Sequence, residues 1–269
     1  MEGCGVSHGA LSIVNAVPLG RGASLGVSLT TRVHVRLFSR TDGVSRRDFL
    51  GLLAKRVFER IGVRGLDAEI MVETQIPPGV GMKSSSAVAN ALILALLDAL
   101  GVRLENAETL ELNATVSKEA GVSFTGAFDD AAACLLGGIQ VTDNTRRIIL
   151  KSYAAKEEKA VFLVPKEAGR KNLRVNLSLR ESLKTAFSLA LRGRYLDAMN
   201  LNGTAFAIAQ EYALEPLIAA RRAGADACGI TGNGPAYAAL VGDKGVHEVL
   251  KAWSGFGQVI VADVYNAGD

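Results

Sequence analysis

The sequence has little of what would carry a protein out of the cell, into a membrane or onto nucleic acid. Only three cysteines occur in 269 residues, Cys4, Cys134 and Cys228, odd in number and far apart. That pattern supports neither a disulfide framework nor a Cys/His zinc site. The charge is nearly balanced, with 30 Lys and Arg against 27 Asp and Glu, a formal +3 without any basic run. Nucleic-acid binding therefore has no electrostatic footprint. The longest apolar stretch, 87–100, is interrupted by Asn90 and Asp98 and is too short to span a bilayer. No basic segment followed by an apolar one opens the chain, so no signal peptide is expected. The sequons at Asn113, Asn176 and Asn202 carry no weight without secretion. These absences lead to the expectation of a cytoplasmic, enzyme-like protein, and the mild charge is compatible with anionic small ligands. They leave its oligomeric state open.

The composition is that of a globular chain, 49% apolar and 21% charged, long enough to enclose a cleft between two lobes. Glycine is abundant, with 29 residues clustered at 20–26, 79–81, 121–138 and 229–234. Clusters of this kind between regular elements suggest a site built from loops. Strands are expected at 10–17, at 27–38 after a Gly-rich turn, and at 68–74. Ser45 is expected to open a helix with the stripe Phe49, Leu52, Leu53, Val57 and Ile61. Further helices are expected at 84–100, 105–120 and 127–136, then strands at 139–142, 146–150 and 160–164. Helices at 178–192, 194–210 and 216–223 follow, then a strand–loop–strand at 228–241, a helix at 246–253 and a strand at 259–262. The expected fold class is α+β, with an N-terminal lobe 1–155 and a C-terminal lobe 156–269.

The most informative join is Pro77-Pro78-Gly79-Val80-Gly81-Met82-Lys83, followed by Ser84-Ser85-Ser86-Ala87. A strand ends, a glycine loop turns and a serine cluster starts a helix. The first turn of a helix offers unpaired N–H groups and a partial positive charge, and glycines let such backbone curl around a phosphate. Lys83 adds a charge-assisted contact, and serine hydroxyls suit phosphate or magnesium. Capping alone needs one serine, not three. Lys83-Ser84 is not the end of a P-loop, because Met82 and Pro77 stand where that motif needs glycine. Gly22-Ala23-Ser24-Leu25-Gly26 matches a hydrolase elbow in letters, but a strand-like run follows it rather than a helix.

Asp129 and Asp130 open a small-residue helix after Thr125-Gly126-Ala127-Phe128. Adjacent positions on a helix point in different directions, so one acid can cap while the other faces a cleft and takes a hydroxyl proton. Glu119 is either a magnesium carboxylate or a solvated helix-end charge. Gly229-Ile230-Thr231-Gly232-Asn233-Gly234-Pro235-Ala236 reads as a hairpin, or as a loop packed against another loop.

Together these residues resemble a known family. Pro77-x3-Gly81-Met82-Lys83-Ser84-Ser85-Ser86-Ala87 looks like the phosphate loop of the GHMP kinases, with Met82 in place of the usual Leu. Residues 231–236 resemble that superfamily's C-terminal glycine motif, and 11–26 correspond loosely to its first motif. Within it, Thr125 to Ala131, Gly137-Gly138-Ile139 and Thr142-Asp143-Asn144 are similar to the archaeal shikimate kinases, as are Asn15-Ala16 and Gly20 to Gly26.

The resemblance implies a two-lobed GHMP fold with its site in the cleft, using ATP and Mg2+. The reaction it implies is phosphorylation of the 3-hydroxyl of shikimate. It implies that 77–87, Gly232 and Gly234 hold the nucleotide, and that Ser85 and Glu119 hold the metal. It also implies that Asp130, with Asp129 beside it, is the base, counted back from Gly137. Asn15, Arg21, Thr142, Asp143 and Asn144 would shape the acceptor site. Many GHMP enzymes carry a basic residue in the first motif, yet 8–19 contain no Lys or Arg, so Arg21 stands in as the candidate. Arg21, Arg146 and Arg147 are the candidates to face a substrate carboxylate. The rival readings are another GHMP kinase, acting on homoserine, mevalonate or a sugar, and a nucleotide-binding sensor without catalysis.

Overall fold

The computed structural model describes residues 1–39, 48–123, 125–156, 159–166 and 180–266. Two long antiparallel strands, β1 (Glu2–Val14) and β2 (Arg21–Ser39), form the spine of the first sheet. β2 has two partners on its other edge. Its residues 21–25 pair with β4 (Ile139–Asp143), and its residues 31–39 pair with β3 (Leu66–Thr74). β5 (Ile148–Tyr153) lies beside β4. In the outer half of β2, Val33, Val35 and Leu37 are buried while Arg32 and Arg36 are exposed. This period of two gives the sheet one covered face.

The covering layer is α1 (Phe49–Arg60), α2 (Ser84–Leu100), α3 (Asn106–Glu119) and α4 (Phe128–Leu136). α2 runs along β1 and is apolar on almost every side, as a helix enclosed between layers should be. The second sheet has the order β7-β8-β6-β9 and is antiparallel throughout. Its strands are β6 (Lys159–Pro165), β7 (Ala227–Ile230), β8 (Tyr237–Val241) and β9 (Gly257–Asp263). Its helices are α5 (Arg180–Leu191), α6 (Tyr195–Ala209), α7 (Glu215–Arg222) and α8 (Val246–Trp253).

The chain passes from the first sheet to the second between Tyr153 and Lys159, around the expected boundary at 155. The core does not divide there. Leu11 and Leu25 of the first sheet share one apolar cluster with Phe162 and Leu240 of the second and Ala198 of α6. The C-terminal segment also returns to the first sheet, bridging Val264 to Val27 and Asn266 to Gly137.

The elements differ from expectation at three places. β1 begins at Glu2 rather than at residue 10. β2 begins at Arg21, so 21–26 is strand and the turn is confined to 15–20. Gly22 serves close approach rather than turning, because a Cβ there would lie 2.5 Å from Asp129 Oδ2. β5 starts later than expected because 144–147 form a turn, with Arg147 in the left-handed region at φ 54°. Asp48 caps α1 by accepting from the Gly51 N–H at 2.9 Å. Ser45, expected at that helix start, lies outside the described residues, as do Asn176 and the first two residues of the helix expected from 178. Asn113 and Asn202 are buried. No helix among the described residues is long and apolar enough to cross a membrane.

Candidate active site

α2 begins on Lys83, which occupies the left-handed region (φ 65°, ψ 27°) and offers no side-chain cap. The N–H groups of Ser84, Ser85 and Ser86 have no partner among the described residues, and the first intrahelical bond is Ala87 N–H to Lys83 C=O at 3.0 Å. Three free donors at the positive end of a long helix form an anion cradle. Gly81 shapes the floor at φ 94°, where a Cβ would sit 2.2 Å from the Thr231 carbonyl oxygen. The loop after β7 is clamped onto this floor. Thr231 Oγ1 donates to the Gly81 carbonyl at 3.0 Å and accepts from the Ser12 N–H at 3.2 Å. The Ala236 N–H donates to the Val80 carbonyl at 3.1 Å.

Ser12, on β1, joins the two glycine loops. Its Oγ accepts from the Gly232 N–H at 3.0 Å and from Lys83 Nζ at 2.8 Å. Lys83 also meets Asp130 Oδ1 at 2.7 Å, with both side chains largely buried. A desolvated, hydrogen-bonded ion pair of this kind is costly to break from one side. These groups open onto a cavity of about 480 Å³ whose wall includes Gly79, Ser85, Thr125, Asp130 and Gly232.

Asp129 lies behind Asp130. It is buried, and its Oδ1 accepts from Asn144 Nδ2 at 2.7 Å. Asn144 Oδ1 accepts from the Asp129 N–H at 3.2 Å and from Thr142 Oγ1 at 2.6 Å. Asn144 is thus the side-chain cap that α4 lacks from its own residues, since its N-cap Ala127 stands at φ 49°. Ser24 Oγ lies 3.0 Å from Asp129 Oδ2 and 2.9 Å from Asp130 Oδ1. Burial first, and then the negative charge of Asp130, push the Asp129 carboxyl up to about 7, against the opposing pull of Lys83, Asn144 and Ser24.

The structure gathers part of the expected site and disperses the rest. Asn15, Pro78, Gly79, Gly81, Lys83, Ser84, Ser85, Asp129, Asp130, Gly232 and Gly234 reach the cleft wall. Asn15 arrives with its amide committed, donating to the Gly232 carbonyl and accepting from Asn202 Nδ2 at 2.7 Å. Pro77 and Val80 belong to the loop but not to the wall. Met82, Ser86 and Ala87 are buried beneath it, and Ser86 accepts from Asn113 through its carbonyl.

Several expectations are corrected. Thr142 and Asn144 lie off the cleft wall, buried, with Thr142 donating to Asn144 and Asn144 to Asp129. Asp143 points to the other face of the sheet and pairs with Arg21 at 3.0 Å, also away from the cleft wall. Arg21 lies off the cleft wall, and the cation that meets Asp130 is Lys83. Arg147 contacts Glu111 and Thr115, and Arg146 lines the groove beside Arg21 and Asp143. Glu119 is exposed and bonded to Arg56 at 3.0 Å, outside the wall, which fits the solvated helix-end charge.

Sequence reasoning missed Ser12 and Ser24. Their one signal is a lone hydroxyl inside the apolar runs Leu11-Ser12-Ile13-Val14 and Ala23-Ser24-Leu25.

A glycine-floored anion cradle facing an ion-paired carboxylate defines a class of phosphoryl-transfer site. The fold agrees. The structure of homoserine kinase from Cytophaga hutchinsonii superposes with a TM-score of 0.77 at 19% identity, over 99% of this chain and 96% of that one. The family model for the N-terminal domain of GHMP kinases matches residues 48–138. The particular relatives are shikimate kinases. That of Methanothrix thermoacetophila is 37% identical, covering 99% of this chain and 95% of its own length. That of Methanosarcina acetivorans is 36% identical over 95% of this chain and 90% of its own. The chain belongs to the GHMP kinases, in the family of these archaeal shikimate kinases.

Proposed function

We propose that the protein transfers the γ-phosphoryl group of ATP to the 3-hydroxyl of shikimate, in a magnesium-dependent reaction. The full-length likeness to shikimate kinases supports the acceptor. The observation that carries the chemistry is the Lys83–Asp130 pair, 2.7 Å apart beside the free N–H groups of α2.

Three unpaired N–H groups suit the oxygens of a triphosphate, and the glycine floor leaves room for it. Asp130 Oδ2 has no hydrogen-bond partner among the described residues and is the oxygen available to a hydroxyl. The acceptor O–H proton passes to it as the new O–P bond forms and the bond from the γ-phosphorus to the ADP oxygen breaks. Lys83 supplies fixed positive charge where the transferred group passes, so little reorganisation is required. Magnesium, bound with ATP, supplies further charge neutralisation, and Ser85, whose side chain opens on the cleft, suits its preference for oxygen ligands.

A second reading has one observation in its favour. Lys83 is the sole cation among the described residues of the cleft wall, and no arginine stands there to face an acceptor carboxylate. A neutral sugar would need none. The deciding assay measures ADP release from ATP and magnesium with shikimate, homoserine, mevalonate and galactose in parallel. Release with shikimate alone is expected. Release with galactose and not shikimate would replace the acceptor, and silence with all four would leave a nucleotide-binding protein without turnover.

A further inference from the structure

Ser24 poses a problem of hydrogen count. Its Oγ lies within 3.0 Å of carboxylate oxygens on both Asp129 and Asp130. A hydroxyl carries one hydrogen and can donate fully to one of them. If both acids were ionised, the other contact would set an oxygen lone pair against a buried anion. A single charge, Lys83, would then answer two carboxylates, although it touches only Asp130. Asp129 touches no cation; its Oδ1 is satisfied by Asn144, and its Oδ2 has Ser24 as its sole partner among the described residues.

We propose that Asp129, Ser24 and Asp130 form one proton-holding unit, in which Asp129 Oδ2–H donates to Ser24 Oγ and Ser24 donates to Asp130 Oδ1. Oδ1 of Asp130 is then fixed by Ser24 and Lys83 together, and Oδ2 is left for the acceptor. Ser24 and Asp129 are positioning residues that act through Asp130, an assignment that rests on the kinase reading above.

The surroundings agree with a neutral Asp129. The charged and titratable groups facing it are Asp130 and Cys134 on α4 and Lys83 at the start of α2; β2 offers Ser24 and Gly22, and the turn after β4 offers Asn144. Cys134 is a buried thiol held well above its ordinary range by burial, so it adds no charge. Burial alone disfavours a second anion here, and the charge of Asp130 disfavours it further. A Cβ at position 22 would lie 2.5 Å from Asp129 Oδ2, so the backbone of β2 packs directly against this carboxyl.

Asp129→Asn preserves this geometry, since an amide can donate to Ser24 and accept from Asn144. The test is difference infrared spectroscopy of the substrate-free protein, wild type minus Asp129→Asn, with pH profiles of kcat alongside. The expected result is a protonated-carboxyl C=O band in the wild type at about pH 6 that fades as pH rises through about 7. In Asp129→Asn that step disappears from the pH profile, while turnover falls far less than in Asp130→Asn. Ser24→Ala is expected to lower kcat about tenfold, the worth of one good hydrogen bond, with KM for ATP little changed. Absence of the band, or loss of turnover in Asp129→Asn equal to that in Asp130→Asn, would overturn the proposal. Because the infrared measurement needs no acceptor, it stands or falls apart from the choice of substrate.

Discussion

On the side of the cleft proposed to hold phosphate, the working groups would be backbone N–H groups of three consecutive residues, Ser84 to Ser86, presented by one loop and one helix start. On the acid side they are side chains drawn from separate elements: Lys83 before α2, Ser12 and Ser24 on β1 and β2, Asp129 and Asp130 on α4, and Asn144 after β4. The first wall tolerates exchange of side chains other than Ser85, because its N–H donors belong to the main chain. The second depends on each side chain's identity and on its neighbour's protonation, because the charges are buried and share hydrogens. Loss on the first side should therefore appear mainly in nucleotide binding, and loss on the second in turnover.

The sharpest way to break that contrast is Lys83→Met, since Lys83 belongs by sequence to the phosphate loop and by contact to the acid. Turnover is expected to fall by about a hundredfold or more, the range for removing a preorganised charge at a reacting centre. A rise in KM for ATP with unchanged kcat would return Lys83 to the phosphate wall. A second, smaller effect concerns stability. An aspartate with an ordinary value of 3.8 that is raised to about 7 when folded holds a proton that the unfolded chain has lost in that window. Stability therefore declines as pH rises from about 4 to 7 and levels off above. Asp129→Asn removes the decline, so relative to wild type it gains on the order of a few kcal/mol between about pH 4 and pH 8, read from denaturant unfolding at both. The smallest effect is that of Glu119→Gln. With Glu119 paired to Arg56 at the surface, the magnesium titration and turnover should stay within about twofold of wild type. A shift in magnesium dependence would bring Glu119 back to the metal.

The same contrast explains what could be read from the sequence. The proposed phosphate wall is contiguous in the chain, within Pro77 to Ala87, and the helix from Ser84 to Leu100 was legible to the residue. Most of the strands of both sheets followed from alternation and turn residues. The acid wall is assembled by pairing of strands distant in sequence. The register that brings Ser24 beside Gln140, and with it Thr142 and Asn144 beside α4, is not written in any one segment. Thr142, Asp143 and Asn144 therefore looked like a ligand-binding triplet, although Asp143 pairs with Arg21 while Thr142 donates to Asn144 and Asn144 to Asp129. The left-handed backbone at Lys83, which turns its side chain toward Ser12 and Asp130, is equally invisible, because nothing in a Gly-Met-Lys-Ser run demands it.

The most direct test of the central claim, that Asp130 does chemistry and not nucleotide binding, is to measure both in Asp130→Asn. ATP binding by titration calorimetry should lie within a few-fold of wild type, while turnover with the acceptor falls by roughly a thousandfold, within the range for loss of a general base. Near-normal turnover with intact binding would contradict the account and move the base to another residue of the cleft.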